Sequence, residues 1–169
     1  MDETTLSLDP PLRACWMKRA AQKRIPATQP GGKQKRHIFG AYNWQKDTLT
    51  WTTSQTKNST EFIRFLEELL VKCYPTGRVV MVLDNAAYHK SAAALAALSL
   101  FEHRLLVIWL PPYCSDLNPI ERFWRHLKDL ACANKLQDRI EDVMATAETV
   151  LQQQNDPDAS SRFHVSKNL

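Results

Sequence analysis

VVMVLDNAAYHK, residues 79–90, decides the fold when read together with LPPYCSDLNPIERFWRHLK, residues 110–128. In the first stretch Val79 to Leu83 is an uninterrupted apolar run, the pattern of a buried parallel strand, and Asp84 stands at its carboxyl end. Ligands of open α/β sheets gather at that edge. In the second stretch Glu121 falls in the opening turn of a helix. The 37 positions that separate the two acids hold one helical pattern (91–101) and one apolar strand (104–110), so the chain leaves the edge and returns to it. This crossover predicts both carboxylates at one sheet edge.

Working upstream, strands are expected at 2–8, 36–43 and 48–53, the last two joined through Gln45, Lys46 and Asp47 as a hairpin. A helix over 59–73 has Asn58 and Glu61 as a capping box and an apolar stripe of Phe62, Phe65, Leu66, Leu69, Leu70 and Cys73. A strand (78–83), a helix (91–101), a strand (104–110) and helices at 119–133 and 139–153 complete the pattern. Ile120, Phe123, Trp124, Leu127 and Leu130 recur at helical spacing and are expected to pack on the sheet. Trp124 and Trp109 are therefore core candidates, and Trp16 is the tryptophan placed for base contact.

At 169 residues, with 44% hydrophobic and 24% charged side chains, the chain suits one globular domain. Neither an 18-residue apolar run nor the tripartite pattern of a signal peptide is present, so the expectation is an intracellular protein without a membrane span. Cys15, Cys73, Cys114 and Cys132 lack the short paired spacing of structural zinc sites and are expected as unpaired thiols.

The net charge is only +4, but it is unevenly spread. Between residues 13 and 36 stand eight cations, Arg13, Lys18, Arg19, Lys23, Arg24, Lys33, Lys35 and Arg36, and no acid. Such a segment either stays a solvated loop or neutralises phosphates with release of counterions.

Two acids delivered to one edge suggest a divalent-cation site, because Mg²⁺ takes one or two carboxylates and keeps positions for water and phosphate oxygens. Asp2, at the head of an alternating strand pattern, is a third candidate. Its neighbour Glu3 must point to the opposite sheet face. The motifs D-E-T at 2–4, L-D-N-x-x-x-H at 83–89 and L-P-P-Y-x-S-D-L-N-P-I-E-x-x-W at 110–124 resemble those of DDE transposases of the mariner-like superfamily, in particular the bacterial insertion-sequence branch. The resemblance covers about residues 2–135. It implies an α/β, ribonuclease-H-like mixed sheet, three antiparallel strands followed by two parallel strands and flanked by helices.

It also implies Asp2, Asp84 and Glu121 as catalytic and metal-binding residues, with Mg²⁺ as cofactor, Mn²⁺ as substitute, and two ions in the site. Asn85 and His89 join them as accessory residues of the motif. The implied reaction is cleavage at transposon ends followed by strand transfer to target DNA; the alternatives are a ribonuclease-H-like nuclease and an inactive remnant that binds DNA or a partner. The implied partners are double-stranded DNA, an upstream helix-turn-helix region or companion polypeptide, and a second copy in a homodimer. A cytoplasmic, DNA-associated location follows.

Residue patterns leave structural alternatives beside these roles. Asn118, Pro119 and Glu121 form a good helix start, so the Glu121 carboxylate has a capping role to fall back on, or a pairing role with Arg125 and Lys128. Asp84-Asn85 favours an Asx turn. His89 is equally suited to contacting phosphate and to capping the next helix, and Asp116 suits a turn. The expected organisation is a catalytic domain over 1–135, a helix over 136–154 packed on it, and a flexible tail over 155–169. Beginning at Met1-Asp2, the chain is expected to carry a shortened first strand and no end-recognition region, and Ala20 stands where relatives often place glycine.

Overall fold

The computed structural model describes residues 1–9, 11–14, 16, 18–19, 34–112, 114, 117–160 and 162–163. Strands β1 (Asp2–Ser7), β2 (Lys35–Asn43) and β3 (Thr48–Ser54) form an antiparallel sheet in that order. Helix α1 (Ser59–Glu67), strand β4 (Val79–Leu83), a 3₁₀ turn (Ala87–Lys90), helix α2 (Ala92–Ser99) and strand β5 (Leu105–Trp109) follow. β5 runs parallel to β4, with Val79 opposite Leu105 and Leu83 opposite Trp109. Helices α3 (Pro119–Ala131) and α4 (Ile140–Asn155) come last. The two sheets meet where the Met1 backbone nitrogen donates to the Val82 carbonyl at 2.9 Å. The mixed α/β order expected from the sequence is the one observed.

Strand alternation sorts the core into two halves. Leu6 and Ile38 project to one face of the antiparallel sheet and pack with Ile120, Phe123, Trp124 and Leu127 of α3 and with Val143, Ala147 and Leu151 of α4. Phe39 projects to the other face and joins Phe62, Phe65 and Leu66 of α1, Ala94 and Leu98 of α2, and Met81 and Leu83 of β4. Asp2 shares the parity of Leu6, and Glu3 lies opposite Phe39 in the β1–β2 register. The two neighbouring acids therefore enter different halves.

Gly40 pairs with Asp2 across the ladder. A Cβ there would sit 2.6 Å from Cη2 and Cζ2 of Trp124, so the missing side chain is what lets α3 lie this close to β2.

Helix starts follow the expected chemistry at two places. Asn58 Oδ1 accepts from the Glu61 amide at 3.0 Å, and Ser91 Oγ accepts from the Ala94 amide at 3.2 Å. The Glu61 carboxylate faces Arg64 at 3.4 Å instead of closing a capping box. The helix expected over 59–73 changes at Glu68 into a π-helical turn (Glu68–Cys73). There Arg104 donates to the carbonyls of Leu70 and, at 2.7 Å, Tyr74, satisfying acceptors at the end of the turn.

Three burial expectations are corrected. Cys73, expected on the apolar stripe of the 59–73 helix, is exposed at the end of the π-helical turn, whose buried residues are Leu69 and Leu70. The apolar run of β4 is covered on one face only: Val80 is 60% exposed, as is Leu106 on β5, because α3 and α4 pack over β1 to β3 and not over this pair. Leu130 is exposed, and Ala131 takes its place in the core at the end of α3. Trp124 is buried as expected, Trp109 is half-buried under the Lys90 ammonium, and Trp16 is fully exposed. Beyond α4, Arg162 pairs with Asp47 at 3.1 Å and Phe163 stacks on His126 with ring centroids 4.6 Å apart. Among the described cysteines Cys73, Cys114 and Cys132 are free thiols, and Cys15 lies outside the described residues.

Gly40→Ala is expected to destabilise the protein by about 1–3 kcal/mol in urea unfolding, since neither the β2 backbone nor the Trp124 ring has room to yield. Combined with Trp124→Phe, whose smaller ring opens that space, the change should cost less than the sum of the two single substitutions. Strict additivity would contradict the close approach.

Candidate active site

Asp84 leaves the carboxyl end of β4, where the Leu110 amide donates to the Leu83 carbonyl at 2.8 Å and holds the ends of β4 and β5 together. Glu121 lies exposed in the first turn of α3. Asp84, Asn85, Asn118 and Glu121 line one cleft of about 170 Å³, walled by Leu110, Pro111 and Pro112. The crossover thus returns both acids to one edge.

Asn118 does not cap α3 with its side chain; Nδ2 instead lies 3.4 Å from the Met1 carbonyl, tethering the start of α3 to the start of β1. The Glu121 amide bonds to the Asn118 carbonyl at 3.1 Å. Among the described residues, the Glu121 carboxylate has neither a hydrogen-bond nor an ion-pair partner, so the capping and Arg125-pairing alternatives do not occupy it.

Asp2 is buried beside these acids, and among the described residues its Oδ2 lacks a hydrogen-bond partner. Burial first, then the carboxylates of Glu121 and Glu3, pushes its carboxyl up to about 7; Asp84 adds to the rise. The acids crowded at this edge therefore repel one another, and the buried Met1 ammonium faces Asp2 and Asp84. Among the described residues no three His, Cys, Asp or Glu side chains are close enough to hold a metal ion by themselves. The donor set nonetheless fits a hard divalent cation: Mg²⁺ uses few carboxylates and leaves positions for water and substrate oxygens. An orphaned carboxylate oxygen next to two further acids meets that requirement.

On the other side of Asp84 lies a residue that strand alternation placed away from the site. The Glu3 carboxylate is wholly buried, 2.8 Å from His89 Nε2, accepts from the Tyr88 hydroxyl, and is 3.8 Å from Lys57 Nζ. His89 is also fully buried, and its Nδ1 lies 2.8 Å from Asp84 Oδ1, off the line of a well-directed hydrogen bond. Burial pulls the imidazole down, but Asp84 and Glu3 together outweigh it and hold it up to about 9. His89 in turn holds the Asp84 carboxyl below its usual range, against desolvation. His89 caps no helix, since Ser91 does so for α2, and its burial between two acids keeps it from phosphate. Asn85 accepts from the Lys90 ammonium and donates to the Leu110 carbonyl, bracing the cleft wall.

The sequence profile of the DDE superfamily endonucleases matches residues 1–143, a span that contains all three acids. The chain belongs to this family. A curated relative, the Insertion element IS630 uncharacterized 39 kDa protein of Shigella sonnei, is 29% identical over 133 residues, which is 79% of this chain and 38% of the relative. The Mos1 transposase paired-end complex with left transposon end has the same fold at a TM-score of 0.63 and 18% identity, over 89% of this chain and 46% of that one. The Mos1 Strand Transfer Complex gives 0.65 and 17%, over 89% and 45%. The Mos1 mariner paired end complex with Mn gives 0.63 and 17%, over 89% and 46%. The chain spans less than half the length of these relatives. The family agrees with the mariner-like and insertion-sequence motifs read from the sequence, and the shared fold is the ribonuclease-H-like one.

The basic segment is divided. Arg13 Nε pairs with Asp129 at 2.8 Å and Arg36 with Glu141 at 3.3 Å, so both tie the segment's ends to α3 and α4. Lys18, Arg19 and Lys35 are exposed, and Lys23, Arg24 and Lys33 lie outside the described residues, as does Asp116. Glu3 and Tyr88 were missed as members of the site. The usable signal was the pair Asp2-Glu3 beside a buried-strand pattern, which puts one acid on each face.

Because the folded-state value of Asp2 lies above its unfolded one, its charge destabilises the fold from about pH 4 upward and the cost levels off above about pH 7. In EDTA, the melting-temperature advantage of Asp2→Asn over the unsubstituted protein should therefore grow from pH 5 to pH 8, at about 2–4 °C per kcal/mol recovered. A difference that does not change with pH would contradict the crowding of these carboxylates.

Proposed function

We propose that this chain is the catalytic domain of a DNA transposase in which Asp2, Asp84 and Glu121 hold a pair of divalent cations, Mg²⁺ or Mn²⁺ in its place. The observation that carries the reading is the convergence of Asp84 and Glu121 on one cleft with the buried Asp2 beside them, its Oδ2 without a hydrogen-bond partner among the described residues. When bound, such ions neutralise charge on a scissile phosphate and make a water or 3′-hydroxyl oxygen nucleophilic. The carboxylates bind and orient; Asn85 and Asn118 keep the cleft walls and the start of α3 in place. No covalent protein nucleophile is needed.

The substrate is double-stranded DNA, transposon ends and then target. Support comes from the family and from solved relatives whose names describe transposon-end and strand-transfer complexes. Backbone contacts are assigned to Lys18, Arg19, Lys23, Arg24, Lys33 and Lys35, whereas Arg13 and Arg36 are committed to ion pairs with α3 and α4. Arg125 is exposed on α3 four residues after Glu121 and adds a cation to the surface of that helix. End recognition is assigned to an upstream helix-turn-helix region or a companion polypeptide, and assembly to a homodimer on DNA. No helix among the described residues is long and apolar enough to cross a membrane, and the site of action is the cytoplasm, on DNA.

With Mn²⁺ and DNA carrying the element's ends, the protein joined to its end-recognition region should nick the ends and transfer the 3′ strand. Asp84→Asn or Glu121→Gln should lower nicking by roughly 10²–10³-fold, the scale set by loss of one charge-stabilising group at other active sites. Nicking without joining would support a nuclease, and undiminished nicking in both variants would refute the site. Separately, Lys18→Ala with Arg19→Ala should weaken binding to every duplex and flatten the slope of log K against log salt by about 0.9 for each phosphate no longer neutralised. An unchanged slope would remove those cations from the DNA surface.

A further inference from the structure

Every restraint on the Asp84 side chain falls on one of its two oxygens. Oδ1 accepts from the Ala86 amide at 3.0 Å and lies 2.8 Å from His89 Nδ1. Among the described residues Oδ2 receives nothing. A carboxylate turns freely about its last torsion, so without such restraints it has no preferred orientation in a cleft. His89 is itself fixed. Its Nε2 is held by Glu3 Oε1 at 2.8 Å, its ring lies 4.5 Å from those of both Phe62 and Tyr88, and it is fully buried. Glu3 is fixed in turn by the Tyr88 hydroxyl, by Lys57 and by its place opposite Phe39 in the ladder.

We infer that Glu3 and His89 are positioning residues: the chain Glu3–His89–Asp84 locks Oδ1 of Asp84 and presents Oδ2 to the cleft. The inference rests on the metal-binding role proposed for Asp84. Burying an acid and an imidazole is costly, and removing one partner of such a pair leaves the other uncompensated. A brace that held only the fold would be served as well by apolar packing; what the polar chain adds is a short charged contact, 2.8 Å, on one oxygen of Asp84. Groups that orient a metal-binding side chain in this way typically alter affinity 10–100-fold when removed.

Two near-isosteric variants separate the hold on Asp84 from the hold on Glu3. In His89→Asn the amide nitrogen stands where Nδ1 was, keeping the donor to Asp84 and losing Glu3. In His89→Gln it stands where Nε2 was, keeping Glu3 and losing Asp84. Mn²⁺ binding followed by calorimetry should weaken about 10–100-fold in His89→Gln and considerably less in His89→Asn. Crystal structures without metal should show the Asp84 carboxylate in more than one orientation in His89→Gln and in a single orientation in His89→Asn.

Equal Mn²⁺ affinity in the two variants, or a single Asp84 orientation in His89→Gln, would overturn the inference. If the unsubstituted protein and Asp84→Asn bind Mn²⁺ alike, the metal role of Asp84 fails instead, and the metal-free structures alone decide on positioning. Should His89→Gln not fold, Glu3→Gln carries the test: it keeps size and loosens the hold on Nε2. It should then disorder Asp84 and weaken Mn²⁺ binding, and no change in either would overturn the inference.

Discussion

The approach of Trp124 to Gly40 is the contact on which the geometry of the site depends. Gly40 faces Asp2 across the β1–β2 ladder, and a single methyl group there would collide with the indole. With the glycine, α3 lies directly on the sheet and its first turn reaches the end of β4. Asn118, bonded to the Met1 carbonyl, then sets the height of that turn. An acid at the start of a helix and an acid after a strand become neighbours through packing between elements distant in sequence.

The packing creates an electrostatic cost, which the fold meets differently on the two sides of β1. On the α1 side, Glu3 is compensated by His89, Tyr88 and Lys57, a buried network whose disruption would cost several kcal/mol. On the α3 side, Asp2 is buried with no hydrogen-bond partner for Oδ2 among the described residues and is driven toward its neutral form, chiefly by burial and by Glu121. Exposed pairs such as Arg13–Asp129 contribute about 0–1 kcal/mol and do not offset this. Asp84, between the two halves, lines the cleft with its carboxyl held below its usual range by His89, 2.8 Å from Oδ1. Alternation along a strand thus divides adjacent acids into a compensated one and one that retains an unmet demand for a cation.

Much of this was legible in the sequence, for identifiable reasons. Period-two and period-3.6 patterns located the strands and helices within a few residues, and the 84-to-121 crossover put two acids at one edge because handedness and length leave little choice. The same periodicity cannot say what covers a strand: the apolar run of β4 reads as buried on both faces, yet Val80 and its β5 partner Leu106 are exposed. Nor can it anticipate side-chain pairs formed across long separations. Glu3 meets His89 86 positions away, and Arg13 meets Asp129 116 positions away. Asn118 shows the limit at short range as well: its residue type suits an N-cap, but the Met1 carbonyl is the partner its amide meets.

The central claim is that Asp2, Asp84 and Glu121 form one cation site at the joined ends of β1, β4 and α3. Anomalous diffraction from crystals soaked in Mn²⁺ tests it most directly. The account predicts manganese in the cleft, coordinated at about 2 Å by carboxylate oxygens of Asp84 and its partners Asp2 and Glu121. Manganese bound elsewhere, or a cleft left empty at saturating Mn²⁺ with the Asp2 carboxylate still unpartnered, would contradict it.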